Sequence, residues 1–442
     1  MRFSWVPLFL FASSISFVSA EACSLNPNSE PALPGITPSM NIKSALNIAW
    51  NLKHTTRARL INDHTSGKLD ANCSKTYGDF YNKIRLYEDR VSNLGFRQGA
   101  HTTVSPYTPN NSQLYSTSTS GMHDLGKDLR SGDIILSRGN AFTSAAIAHL
   151  GESDQLFSHA SLVYRDEKTN QLYTIEAHIE IGVVARPIQA NIDEMNSRAA
   201  VFRFQDPQLA HHAAKLMFNR AREHSANGAN INYDFAMDMS NGDSLFCSEV
   251  ISYAFQKASR GQTKVPLFKS RLDRRNIAFE HSIDIFQAES FLPGDLETDP
   301  RFELVAEWRD WKKVRDLHEK DAILRSMLSW MDHRHYRLDQ SLNADVWLKK
   351  NVGYLLRRIP GADKMVEDKF PLNMNRNLIG VFTILDQTGE IIQNRLKGYV
   401  NQSLRHSGGV LPTEESMMKF LERYREIDAK SSSSEFHSIF HP

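Results

Sequence analysis

The chain is poor in cysteine, with three among 442 residues, and it has no excess of charge: 52 Lys and Arg stand against 51 Asp and Glu, a formal net charge of +1. Near-balance argues against a nucleic-acid binder that works through overall positive charge, although local basic patches stay open. Beyond the leader no apolar stretch is long enough to span a bilayer, which argues against an integral membrane segment in the mature chain. There is no internal repeat and no His-Glu-x-x-His spacing, so the common helical zinc-hydrolase signature is missing.

What is present starts with Met1-Arg2, an apolar run from Trp5 to Val18, and Val18-Ser19-Ala20. These are the n-, h- and c-regions of a secretory signal peptide, which predicts cleavage after Ala20. An uncleaved anchor is the alternative, but the run is short for a spanning helix. Glu21 makes Ala20-Glu21-Ala22 a poor lipidation box before Cys23. The expectation is a soluble exported protein, periplasmic in a bacterium. In an oxidising compartment Cys23 and Cys73 could close a loop worth about 4 kcal/mol by chain entropy. Cys247 would then stay reduced, and an odd cysteine in an exported protein is either a liability or a reagent.

Five regions follow from the patterning: a signal peptide over 1–20, a helical N-terminal region and linker over 21–121, a strand-rich domain over 122–293, a helical region over 294–430 and a disordered tail over 431–442. In the first helical region Ile42, Ala45, Leu46, Ala49 and Trp50 share one face, and Phe80, Ile84, Tyr87 and Val91 mark a second helix. Residues 98–121 are rich in Ser, Thr, Asn and Pro and read as a linker. Strands are expected at Asp133 to Ser137, Phe157 to Tyr164, Leu172 to His178, Gly182 to Ile188 and Ala199 to Phe204, making a small antiparallel sheet. A short helix is expected over Ala141 to Leu150. Asp206-Pro207 starts another as N-cap and N1. Further helices are predicted around Trp308 to Met331, Asp345 to Arg358, Asn377 to Tyr399 and Thr413 to Ile427.

Chemistry gathers at Leu245-Phe246-Cys247-Ser248-Glu249-Val250. Val250, Ile251, Ala254, Phe255 and Ala258 then recur on one helical face, so Cys247 falls at a helix start. The positive end of the macrodipole and the unpaired amides there favour thiolate over thiol. A small buried apolar thiol is the competing reading. A nucleophilic cysteine needs a base, and the base needs an orienting group. Alternation places His159, Ser161 and Val163 on one face of a strand, and Glu176 lies on the predicted neighbouring strand. His178 and Glu180 share the face of Glu176 and rival it as orienters or bases, while Asp234 or Asp243 could reach the site from the approach to Cys247.

Taken together, Leu129-Arg130-Ser131-Gly132-Asp133-Ile134-Ile135-Leu136, Phe157-Ser158-His159-Ala160-Ser161-Leu162-Val163, Thr174-Ile175-Glu176-Ala177 and Phe246-Cys247-Ser248-Glu249-Val250 resemble the circularly permuted papain-like hydrolases of the YiiX and YaeF type, relatives of the NlpC cell-wall peptidases. The order His, acid, Cys is the permuted one. The resemblance covers roughly Leu129 to Ala258. It implies an α+β fold in which an antiparallel, barrel-like sheet packs on the Cys-bearing helix, flanked by helical N- and C-terminal regions. It also implies Cys247 as nucleophile, His159 as base and Glu176 as orienter, with Tyr233 and Asp234 lining the site and Ser248 beside the nucleophile in a substrate-binding position. The implied reaction is acyl transfer through a thioester, without cofactor or metal. Export favours a cell-envelope substrate such as peptidoglycan peptides, with a lipoprotein or acyl-lipid substrate as the alternative; no nucleic acid is expected, and oligomeric state is not legible.

Two other classes compete. Metal catalysis draws on His333-Arg334-His335 with Asp332, and on His211-His212, but in a helix a His-x-His pair diverges. A catalytically dead binding or scaffold protein would use the C-terminal helices, where Trp308, Trp311 and Arg315 read as an ordinary amphipathic helix.

Overall fold

In the computed structural model, residues 22–99, 115–116, 124–193, 196–239, 242–338 and 373–442 are described. The expected signal peptide, most of the 98–121 linker and the helix at Asp345 to Arg358 lie outside them.

Two long helices open the chain, α1 (Ile42–Thr65) and α2 (Ala71–Arg97). Asn41 and Asp70 cap them, their side chains accepting from Ser44 N and Cys73 N, the usual remedy for orphaned first-turn amides. Cys23 and Cys73 form a disulfide, which ties the preceding segment to the start of α2.

A seven-stranded antiparallel sheet follows: β1 (Tyr115–Ser116), β2 (Ile134–Gly139), β3 (His159–Arg165), β4 (Leu172–His178), β5 (Gly182–Pro187), β6 (Asn196–Phe204) and β7 (Phe302–Arg309), in the order β1-β7-β6-β2-β3-β4-β5. Period-two alternation sends side chains to two cores. Ile134, Leu136, Ala160, Leu162, Ile175, Ala200 and Phe202 face the larger one. Ile135, Val163, Ala199, Val201 and Val305 face the smaller, covered by α3 (Leu125–Asp128) and α5 (Ile188–Asp193) through Leu125, Ile188 and Ile192.

The larger core takes α6 (Pro207–Ala226) and α7 (Cys247–Ala258). α7 begins at Cys247 as expected, and Val250, Ile251, Ala254 and Phe255 on it are fully buried. Phe255 meets Phe204 edge-on at 4.9 Å between ring centroids. Around this unit sit α4 (Phe142–Ala148), α8 (Ile277–Ser282), α9 (Val314–Arg334), α10 (Arg376–His406) and α11 (Glu414–Asp428).

Two expectations are corrected. Residues 302–309, within the region expected to be helical, form a strand inside the sheet, and the helix expected from about Trp308 begins only at Val314. Trp308 and Trp311 are accordingly buried, not exposed on a helix face. The misreading has a cause: Glu307 and Arg309 look like solvent positions but are buried as ion-pair partners, with Arg309 Nη2 2.5 Å from Glu307 and 2.7 Å from Glu88. The second correction concerns the tail. Phe436 and Phe440 are fully buried, Phe440–His441 pair with Arg337–Leu338, and Asp428 accepts from the amides of Glu435, Phe436 and His437. Two aromatics among serines were enough to anchor it. Among the described residues, no helix is long and apolar enough to cross a membrane.

Candidate active site

β3 and β4 pair with Leu162 opposite Ile175. The same register carried towards the sheet's end brings Ser161 beside Glu176 and His159 beside His178. The contacts agree: Ser161 Oγ donates to Glu176 Oε2 at 3.0 Å, and the two histidine rings lie 5.5 Å apart. His159 Nε2 meets Glu176 Oε2 at 2.8 Å. With Nε2 engaged, Nδ1 is left for the sulfur of Cys247, which is hydrogen-bonded to His159. Nucleophile, base and acid therefore converge from α7, β3 and β4.

Glu176 is fully buried, and a buried carboxylate persists only when its oxygens are satisfied. Oε1 accepts from Arg186 Nε at 2.7 Å and Thr174 Oγ1 at 2.8 Å. Oε2 also accepts from Asn191 Nδ2 at 2.8 Å, and His178 Nε2 lies 3.5 Å away. Burial alone would raise its pKa, but the histidines' hydrogen bonds and charges win and hold it well below the usual range.

The same contest settles the other two groups. Burial works against charge on His159, yet the Cys247 sulfur and the Glu176 carboxylate raise its pKa to about 10. Burial pushes the Cys247 thiol up, and the His159 hydrogen bond and charge, the Ala160 amide and the Ser248 hydroxyl together bring it below the ordinary thiol value. Both shifts favour an imidazolium–thiolate pair over the neutral pair. Glu249, one turn into α7, does not oppose it: burial, with the charge of Asp234 adding, pushes its carboxyl up to about 8, so it is mostly neutral at pH 7.

Cys247 and His159 open onto a cavity of about 370 Å³. One wall is the loop and first turns of α4, with Asn140, Thr143, Ser144 and Ile147; the other is Ile179, Glu180 and Tyr233. His159 keeps 21% of its side chain exposed there. Tyr233 is held as a phenol by burial and by the negative charges of Cys247, Asp234 and Glu180.

Of the residues singled out from sequence, Cys247, His159, Glu176 and Tyr233 come together. Asp234 and Ser248 do not reach the cavity wall. Asp234 accepts from the amides of Ala236 and Asp238 and so shapes its own loop, and Ser248 is buried with its hydroxyl 3.9 Å from the Cys247 sulfur. His178 and Glu180 line the cavity, whereas Asp243 is exposed outside it. Thr174 and Arg186 escaped the sequence reading although alternation and pairing could have found them, since Thr174 shares the face of Glu176 and sits opposite Arg186. Nothing in the sequence marks Asn191.

For metal, the donor atoms of His159, Glu176 and His178 lie within 4.8 Å of one another. An ion there would have to take the nitrogen and oxygen that the His159–Glu176 hydrogen bond uses. Among the described residues, His211, His212, Asp332, His333 and His335 form no such group. His211 pairs with Glu167 at 3.0 Å, and Asp332 accepts from the amide of Asn276.

Iodoacetamide alkylation of Cys247 is expected to titrate with a midpoint below the free-thiol value of about 8.5, and His159→Ala should move that midpoint up by about one unit or more. Identical midpoints in the two proteins would remove the support for the ion pair.

Permuted order, antiparallel sheet and cysteine at the helix start define the class. Residues 128–306 match the family described as permuted papain-like amidase enzyme, YaeF/YiiX, C92 family, so this segment is a papain-like cysteine amidase/peptidase domain. Among solved structures the chain is similar to the metalloprotein yiiX from Escherichia coli O157:H7, at 20% identity over 40% of this chain and 96% of that one, with a TM-score of 0.31. No curated protein matches the chain.

Proposed function

We propose that this protein is an exported cysteine amidase in which Cys247, His159 and Glu176 act as nucleophile, general acid–base and orienter on peptide amides of the cell envelope, such as those of peptidoglycan. The observation that carries the reading is the hydrogen-bonded line from Glu176 through His159 to Cys247, set at the mouth of an accessible cavity.

The Cys247 thiolate attacks the scissile carbonyl carbon, forming the C–S bond as the carbonyl π pair moves to oxygen. The amide of Cys247, first residue of α7 and without an intrahelical acceptor, is placed to receive that oxyanion. As the C–N bond breaks, the proton on His159 Nδ1 passes to the leaving nitrogen and an amine departs. Water then attacks the thioester, giving its proton to Nδ1, and collapse expels the thiolate with a carboxylic acid as product. Glu176 keeps the ring in the required tautomer and offsets its positive charge. The family match favours amides and peptides over acyl lipids. Export rests on the leader-like Met1 to Ala20.

Incubating the protein and its Cys247→Ser variant with peptidoglycan fragments, and in parallel with lipopeptide and phospholipid, tests this by mass spectrometry. New amine and carboxylate termini from the fragments, absent with the variant, are expected. Products from the lipid panel alone would move the activity to acyl lipids, and no Cys247-dependent product from any panel would favour a binding role.

A further inference from the structure

The charge on the cavity wall is one-sided. Cys247 and His159 neutralise each other as an ion pair, and behind them Glu176 is offset by Arg186 at 2.7 Å. That leaves Glu180. It is half-buried, and among the described residues no ion pair to it is found. Neither Lys nor Arg contributes to the described lining.

Glu180 is also held in place. It sits in the turn between β4 and β5, and that turn is stitched to the segment carrying Tyr233. Val183 N donates to Ile231 O at 2.8 Å and Asn230 Nδ2 to Ile181 O at 3.0 Å. Gly182 has φ +75°, and a Cβ there would lie 2.1 Å from Ile231 O. Only glycine permits so close an approach. Glu180 and Tyr233 both line the cavity, and the Glu180 carboxylate adds to the negative charge that keeps the Tyr233 phenol protonated. An anion held on the wall of a cleft whose described lining contains neither Lys nor Arg, and whose one imidazolium is already paired with the Cys247 sulfur and Glu176, is suited to receive an ammonium group.

We infer that Glu180 is a specificity-determining residue that binds a primary ammonium group of the substrate, so that the preferred amide lies close to a free amine, either a peptide α-amine or the side-chain amine of a diamino acid. The inference rests on the hydrolase reading for its place in catalysis, but charge-selective binding can be measured without turnover. The discriminating residue works by difference: it favours the charged amine, and it leaves an unpaired, partly desolvated carboxylate against an acylated one.

The test uses short peptides in matched pairs, one with a free α-amine and its N-acetyl form, the other with a free lysine side chain and its acetylated form. Binding to the full-length Cys247→Ala protein is followed by calorimetry, and turnover is followed with the protein carrying its native Cys247. One of the free amines is expected to bind about 10-fold or more tighter than its acetylated partner, a preference expressed in KM rather than kcat, and which pair shows it tells α-amine from side-chain amine. Adding Glu180→Gln should bring the ratio to about one, and Glu180→Lys should favour a succinylated peptide instead. Equal affinity for free and acetylated forms, or a preference untouched by both substitutions, overturns the inference. Charge-selective binding without any turnover would leave this subsite standing and overturn the hydrolase reading.

Discussion

His159→Ala lowers kcat/KM on a cleaved amide by about 10³–10⁵-fold, because it removes the proton donor, the proton acceptor and the cation that keeps the thiol ionised in one step. The pH profile separates these roles. With His159 present, activity rises on the acid side as Cys247 deprotonates below the ordinary thiol range and falls on the alkaline side near about 10, where the imidazolium loses the proton it must donate. Glu176→Gln keeps a polar group in the same space but removes the negative charge that helps raise His159. The alkaline limb should then move to lower pH, because the folded-state pKa of His159 falls when its counter-charge goes. In His159→Ala the acid limb should instead move up, to the range of an unassisted buried thiol. Unchanged limbs in both variants, measured as kcat/KM from pH 5 to 11, would mean that neither side chain governs the ionisation of the nucleophile.

Much of this centre was legible because it depends on local periodicity. Strand alternation put His159 and Ser161 on one face, a hairpin with a polar turn paired β3 with β4 and so delivered Glu176, and the apolar spacing after Cys247 set the helix start. Each inference needed only period two, period 3.6 or a turn. The rest depended on contacts far apart in sequence. Asn191 reaches Glu176 from a short helix with no distinctive pattern, and α4 becomes a cavity wall because α9 and α10 stand behind it. Asn140 Nδ2 donates to Asp316 at 2.6 Å, and Lys320 Nζ to Asn140 O at 2.5 Å. A Cβ on Gly389 of α10 would lie 2.6 Å from the ring of Phe142. The C-terminal helices thus brace the wall of the cavity, a role no periodicity announces. β7 was misread for a related reason: hydropathy counts Glu307 and Arg309 as exposed, and only tertiary pairing buries them.

That buried pairing sets the largest expected loss of stability. Glu307 accepts from Lys53 of α1 at 2.6 Å, Arg309 of β7 at 2.5 Å and Arg85 of α2 at 3.3 Å, all within the core. Glu88 of α2 answers Lys53 at 2.8 Å and Arg309 at 2.7 Å. Asp89 joins Arg309, Arg198 of β6 and His318 of α9, and His318 reaches Glu414 of α11 at 3.3 Å. Burial opposes the charge on Glu307, yet its three cations hold its pKa far below the carboxylate range. Removing that anion leaves cations unpaired out of water, a situation that typically costs about 3–5 kcal/mol. Glu307→Ala is therefore expected to lower the urea midpoint by that equivalent with an unchanged m-value. Because the network runs from α1 and α2 through β7 and β6 to α9 and α11, the loss should not be confined to the N-terminal helices. The hyper-reactivity of Cys247 should disappear in the same transition as the helical signal. If the helical signal fell first while Cys247 still alkylated at its native rate, the N-terminal helices would be an independent unit; a destabilisation under about 1 kcal/mol would mean that Glu88, with Glu297, which pairs with Arg85, is enough to satisfy the buried cations.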